Sequence, residues 1–276
     1  MSKRSLLTVF AVAAALMLGG CAAAPNIDEY SSVRAVLDPL NVVIEYPLDE
    51  YALNGREAFE VQHANALLVA DCMAEYGFDY PRTTENWDTK PVPQERRYGL
   101  WSAHAAEAYA YEYPSDPTTV AIDGLEMERS ELWWSQVYPC INETKQLPAM
   151  TVHSSEQQSP VDRVMDEANA NMRSSDEYRE SWQEWATCIE ERGLSAQREK
   201  AVLIPELPES AEERAKMALI DIACKQENNS IQRIADIEAR FQAAYIDQRE
   251  SELNAYRQEA DDVLEQAREI IATHGG

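Results

Sequence analysis

Apolar residues recur at steps of three and four along most of the chain, the spacing of one face of a helix. Phe59, His63, Ala66, Ala70 and Met73 predict a helix over 55–76. Gly77 ends it, because glycine takes the left-handed conformation freely, and Phe78 can then pack back on Met73. Residues 79–100 are rich in Pro, Thr and charge and read as a long loop. Ser102 is placed to cap a helix through Ala110, with Ala103, Ala106 and Ala110 on one face, until Pro114 and Pro117 stop it. A helix from about Glu126 carries Leu132, Trp133 and Val137, and Pro139 bends or restarts it before Cys140. The polar run Thr151 to Ser159 marks a module boundary.

The second half is more regular. Ser159-Pro160 opens a helix, Ser174 with Glu177 fits a capping box, and Tyr178, Trp182, Trp185 and Ile189 make an apolar stripe closed by Gly193. Pro205 and Pro208 break the next loop. Ser210 with Glu213 opens a helix through Met217, Ile220 and Cys224. Ser230 to Thr273 holds neither Pro nor Gly and reads as one helix of roughly 65 Å, at about 1.5 Å per residue. Its apolar positions fall in two runs, Ile234-Ile237-Phe241-Ala244 and Leu253-Tyr256-Ala260-Val263-Ala267-Ile270. The runs are out of phase across Gln248 to Glu252. The upstream face suits packing on disulfide-linked helices, and the downstream face suits folding back on residues 160–173 or, as the alternative, meeting another molecule. Only Val33 to Tyr46 has strand character. With Pro39 and Pro47 keeping it short, it reads as an extended arm rather than a sheet.

The N-terminus has a different pattern. Lys3 and Arg4 precede an apolar stretch, Leu6 to Leu18, that is too short for a bilayer span, which needs about 20 apolar residues. It ends in Leu18-Gly19-Gly20-Cys21, which looks like the lipobox of bacterial lipoproteins. The reading is a signal peptide over 1–20 and a lipidated tether with the arm over 21–45. A helical module with Cys72 and Cys140 spans 46–150, and a second with Cys188, Cys224 and the long helix spans 151–276. Cys21 is the acyl acceptor, and the membrane is reached through that anchor. The expected location is the extracytoplasmic face of the cell membrane.

The four remaining cysteines argue for disulfides in an exported chain. They lie in a weak repeat. Cys72-Met73-Ala74-Glu75-Tyr76-Gly77-Phe78 parallels Cys188-Ile189-Glu190-Glu191-Arg192-Gly193-Leu194. Each copy is followed by a loop and a helix with a second cysteine, so Cys72–Cys140 and Cys188–Cys224 is the simplest of the three possible pairings.

Pro47-Leu48-Asp49-Glu50-Tyr51, Cys72-Met73 through Gly77-Phe78-Asp79-Tyr80, Tyr98-Gly99 and the later cysteine pair together resemble a poorly characterised family of actinobacterial exported proteins and lipoproteins. The resemblance covers most of the mature chain. It implies location and architecture and says nothing about catalysis.

Charge narrows the partners. With 49 acidic against 24 basic residues the net charge is −25, and removing Lys3 and Arg4 makes it more negative. Such a surface repels nucleic acid, whose binding depends on Lys and Arg meeting phosphates. Chemistry is sparse. No GxSxG, HExxH, P-loop, GxGxxG or DxDxDG calcium loop occurs. His104 and Glu107 share a helix face, but no second pair completes a zinc site. His63 lies on an apolar stripe, while His153 and His274 fall in a linker and a tail. No catalytic residue, metal or cofactor is assigned.

The aromatics remain. Trp101, Tyr109, Trp182 and Trp185 could line a groove for sugars or an apolar ligand, although stripes at helical spacing also build cores. Tyr109, Tyr111 and Tyr113 alternate in a strand-like way. The expected fold is mainly α, with disulfide-linked helical modules and a long C-terminal helix. The expected role is a non-catalytic envelope module that binds a ligand or a protein partner. An envelope enzyme acting on peptidoglycan or another glycan is the alternative, and a structural spacer is a third reading.

Overall fold

The computed structural model describes residues 24–80, 95–114, 129–151, 158–197 and 202–274. Cys21 with its lipobox, the helix start at Glu126, Pro117 and His153 lie outside the described residues.

The fold is mainly helical. Among the described residues seven α-helices follow a short hairpin: α1 Gly55–Glu75, α2 Ala103–Tyr109, α3 Glu131–Glu143, α4 Pro160–Ser174, α5 Asp176–Glu191, α6 Ala211–Glu227 and α7 Ser230–Thr273. Each of the first six begins at a side-chain cap. Asn54, Ser102, Ser130, Ser159, Ser175 and Ser210 accept from a backbone N–H in the first turn, which satisfies donors that the helix cannot. The α5 cap is Ser175, one residue later than the capping box at Ser174 predicts. Ser174 is the last residue of α4, with its hydroxyl bonded to Ala170 O, and Ser175 alone forms the extended joint between the helices. Helix α3 runs through Pro139.

The N-terminal arm is not simply extended. Val36–Asp38 (β1) pairs antiparallel with Val43–Glu45 (β2), Val36 opposite Glu45. Pro39 falls in the connecting turn, where its missing N–H costs no ladder bond. Asp38 holds that turn by accepting from the N–H groups of Leu40 and Asn41, each at 3.0 Å. Ala35, Val42 and Ile44 are buried, so the hairpin is part of the core. The Pro-Leu-Asp-x-Tyr stretch forms a 3-10 helix, Pro47–Tyr51, closed by Asp49 accepting from Tyr46 N–H at 2.7 Å.

Both predicted disulfide pairs form. Cys72–Cys140 links α1 to α3 and Cys188–Cys224 links α5 to α6, each with Cα atoms 5.7 Å apart. The repeat extends to hydrogen bonds. Phe78 N–H reaches Met73 O at 3.0 Å and Leu194 N–H reaches Ile189 O at 2.9 Å, while Gly77 and Gly193 bond to Ala74 O and Glu190 O. Both glycines have positive φ, 78° and 82°. Helices α1 and α5 therefore end in the same Schellman motif.

Helix α7 is the spine. Its backbone departs from helical geometry at Arg249, inside the window where the two apolar runs change phase. The upstream run packs as expected: Ile234, Ile237 and Phe241 share one core with Trp185 and Ile189 of α5 and with Ile222 and Cys224 of α6. Helix α5 runs antiparallel to α7, with Glu177 beside Arg240 and Glu184 beside Arg233. The same core takes Ile44, Leu48 and Leu100, so it draws on chain from both sides of residue 150.

From Ala260 onward the downstream run packs on α1 rather than on residues 160–173. Ala260, Val263, Leu264 and Ala267 meet Leu53, Val61, Ala64 and Met150. Ion pairs Glu57–Arg257 and Glu60–Arg268 and the Asp71–His274 contact show that the two helices run parallel. Helix α4 lies upstream, with Asn169 bonded to Glu238, Asn171 to Tyr245 and Glu167 to Arg249. Its Val161, Val164 and Met165 share the main core, which Leu253 of the downstream run also enters. A third cluster joins Val69 and Met73 of α1 to Trp133 and Val137 of α3 around Cys140. Among the described residues, no helix is long and apolar enough to cross a membrane.

Candidate functional site

The most concentrated chemistry surrounds residues 95–101, a segment that is neither helix nor strand. Tyr98, Leu100 and Trp101 are nonetheless buried. Irregular backbone inside a core needs partners for its polar groups: Lys225 of α6 meets Leu100 O, Glu95 N–H reaches Val42 O and Gly99 N–H reaches Arg96 O, while Glu238 of α7 holds the Arg97 and Tyr98 side chains.

On the α7 side stands Glu238, fully buried within the Ile234-Ile237-Phe241 stripe. Its carboxylate accepts from Arg97 Nη1 at 2.5 Å, Tyr98 OH, Asn169 Nδ2 at 3.2 Å and Gln242 Nε2 at 3.3 Å. Tyr46 OH lies 2.8 Å from Tyr98 OH, and the Arg97 guanidinium sits 5.1 Å over the Tyr46 ring. Burial and the Glu238 charge push both tyrosines well above their ordinary range. Burial alone would weaken the Arg97 charge. The Glu238 carboxylate outweighs it and holds the guanidinium protonated.

On the α6 side stand Asp221 and Lys225, one turn apart and both buried. Lys225 Nζ donates to Leu100 O at 2.5 Å and to Asp221 Oδ2 at 3.0 Å. Asp221 also accepts from Trp185 Nε1 at 2.8 Å and Tyr111 OH at 3.0 Å. Burial raises the Asp221 carboxyl despite these donors and lowers the Lys225 ammonium despite its partner. Gly99 makes the close approach possible. Its φ is +86°, and a Cβ there would lie 2.4 Å from Leu203 O and 3.1 Å from Lys225 Nζ.

General acid–base chemistry needs a carboxyl that can reach a proton on a substrate. Glu238 has four donors on it and Asp221 three, and neither side chain meets solvent. Their arrangement clamps the 95–101 segment between α6 and α7.

The aromatic residues are not gathered at one surface. Trp185 and Trp101 are buried, the latter donating to Glu95 O at 2.7 Å. Trp182 is half-buried and meets Trp185 edge-on, with ring centroids 6.0 Å apart. Tyr109 is exposed. His104 and Glu107 are exposed on α2, and no group of three potential metal ligands occurs among the described residues. His63 is partly buried and stacks on Phe59, while His274 contacts Asp71.

Sequence reading did not single out Glu238, Asp221, Lys225 or Arg97. A faint signal existed: Glu238 interrupts an apolar stripe, and Asp221 and Lys225 stand at i, i+4 on a helix that buries that face. Comparison with protein-family models, curated proteins and solved structures finds no match to this chain.

Proposed function

We propose that this chain is a lipid-anchored envelope protein that acts by non-catalytic interaction, held to the extracytoplasmic face of the membrane through Cys21. The observation that carries the non-catalytic reading is the closure of Glu238 and Asp221, whose buried carboxylates are occupied by donors of the clamp around residues 95–101. The disulfides support an oxidising compartment. The Leu18-Gly19-Gly20-Cys21 sequence supports the anchor, and the actinobacterial lipoprotein resemblance agrees with both. A net charge of −25 argues against nucleic acid as a partner.

An interaction module needs an outward surface. On α3, Tyr138 and Ile141 are exposed, Tyr138 at 60%, beside the half-buried Trp134 at the edge of the α1–α3 cluster. The test has two arms. Metabolic labelling with an alkyne fatty acid should mark the wild type and leave Cys21→Ala unlabelled and released from membranes. A photo-crosslinker at position 138 in cells should yield a discrete adduct that a crosslinker at exposed Glu180 does not. Label on Cys21→Ala would refute the anchor, and identical adduct patterns from both positions would refute the interaction surface.

A further inference from the structure

The two disulfides stand on the same motif but differ in one neighbour. In the first copy the residue before the glycine is Tyr76, 53% exposed. In the second it is Arg192, whose Nη1 lies 3.2 Å from Cys224 Sγ. The other terminal nitrogen, Nη2, meets the Glu227 oxygens at 2.8 and 2.7 Å. Cys224 is fully buried and Cys188 is partly exposed, so a reagent from solvent meets the Cys188 sulfur.

Thiol–disulfide exchange proceeds in line: a thiolate attacks one sulfur and the other leaves. It quickens as the pKa of the leaving thiol falls. A guanidinium against a sulfur favours the thiolate over the thiol. Arg192 therefore assists departure of Cys224, against the opposing effects of burial and the negative end of α6. It has a second effect. Glu227 Oε2 lies 3.9 Å from Cys188 Sγ and would repel an incoming thiolate, and Arg192 offsets that charge.

We propose that Cys188–Cys224 is a thiol–disulfide exchange site, entered at Cys188 by the thiolate of a protein dithiol reductant of the Cys-x-x-Cys type. A new bond forms between the attacking sulfur and Cys188 Sγ. The Cys188–Cys224 bond breaks, and its electron pair leaves on Cys224 as a thiolate beside Arg192. The second thiol of the reductant, deprotonated, then attacks the mixed disulfide. It releases Cys188 as a thiolate that takes up a proton and leaves the reductant as a disulfide, a two-electron reduction of this protein. Opening removes the covalent link between α5 and α6, while the Trp185–Asp221 bond still joins them. This site is independent of the anchor and of the interaction surface.

The experiment follows both disulfides in one oxidised, full-length mature chain. Glutathione, dithiothreitol and a Cys-x-x-Cys reductase are added separately, and quenched, alkylated samples are mapped by mass spectrometry. Glutathione should appear on Cys188 and not on Cys224. Arg192→Met should slow opening of this bond by about tenfold, and Arg192→Lys, which keeps a cation, should stay near the wild-type rate. Glu227→Gln should open it several-fold faster. The Cys72–Cys140 rate should hold constant across the series and reports any general loosening of the fold. An ion pair that merely braces the fold predicts acceleration in both Arg192→Met and Glu227→Gln. That result, unchanged rates in both, or glutathione on Cys224 overturns the proposal.

Discussion

Tyr98 and Glu238, 140 residues apart in the chain, are joined by a buried hydrogen bond from the tyrosine hydroxyl to the carboxylate. Around it Arg97, Asn169 and Gln242 complete the coordination of one charge by three separate stretches of chain. Removing the hydroxyl in Tyr98→Phe leaves three donors on Glu238 and takes the partner from Tyr46 OH. The expected loss is about 1–3 kcal/mol in urea denaturation, the range for unpairing a buried polar group. Glu238→Leu should cost more, because it strands Arg97. The double variant Arg97→Met/Glu238→Leu should recover part of that loss. Equal stability of Glu238→Leu and wild type would show that the network is not a clamp.

The Asp221–Lys225 pair allows a sharper version of the same argument, since both groups are wholly desolvated. Lys225→Met leaves a carboxylate in the core beside Trp185 and Tyr111. The expected destabilisation is roughly 3–5 kcal/mol, the range for breaking a buried ion pair from one side. Asp221→Asn on that background removes the stranded charge and should restore most of it. A measured loss below about 1 kcal/mol for Lys225→Met would mean that Asp221 can take up a proton at little cost.

Three glycines separate conformational strain from steric contact. Gly77, Gly99 and Gly193 all have positive φ, yet only at Gly99 would a Cβ meet anything within 4 Å. Gly77→Ala and Gly193→Ala should each cost about 1–2 kcal/mol for the left-handed conformation alone. Gly99→Ala should cost several times that, because Leu203 O would have to move and the Lys225 bond to Leu100 O moves with it. Equal midpoints for the three alanine variants would contradict this ranking.

Several of these features were legible in the sequence and others were not, for a common reason. Serine caps, glycine stops and the cysteine repeat are local signals, and they placed the helices and both disulfides. The phase change across Gln248 to Glu252 is also local, and the helix departs from regular geometry at Arg249 inside that window. The hairpin was missed because Pro39 counted against strand, when its place is the turn that Asp38 closes. Leu253 shares the main core with residues of α4, but from Ala260 onward the downstream α7 face is covered by α1 and not by residues 160–173; an apolar stripe records what it buries but not what covers it. The clamp was unreadable for the same reason: with 49 acidic residues, nothing local marks Glu238 and Asp221 as ones that fold inward.

Histidine 63 gives a pH prediction. Partial burial lowers its pKa from the ordinary 6.5, so the native state holds fewer protons there than the unfolded chain. A depressed group of this kind stabilises above its unfolded pKa and loses that contribution as pH falls through the folded value. Stability should therefore drop between pH 7.5 and 5, and His63→Gln should drop less over the same window. Urea midpoints at the two pH values measure the difference. An equal drop in both proteins would show that His63 does not contribute.

The downstream face of α7 offers the last test, because small residues at a covered position and at a free one respond oppositely to enlargement. Ala260 and Ala267 are fully buried in one cluster with Val61 and Ala64 of α1. Ala260→Leu adds three carbons to that contact and should destabilise by about 1–3 kcal/mol through overpacking. Ala255, on the same helix and exposed, should accept leucine within about 0.5 kcal/mol. Limited proteolysis adds a spatial readout. In Ala260→Leu the early cuts should fall in α1 and in α7 beyond Arg249, while α5 and α6, joined by Cys188–Cys224, stay protected. If Ala260→Leu is as stable as Ala255→Leu, with cleavage unchanged, the face is not covered by α1 in solution and the parallel packing of these two helices is wrong.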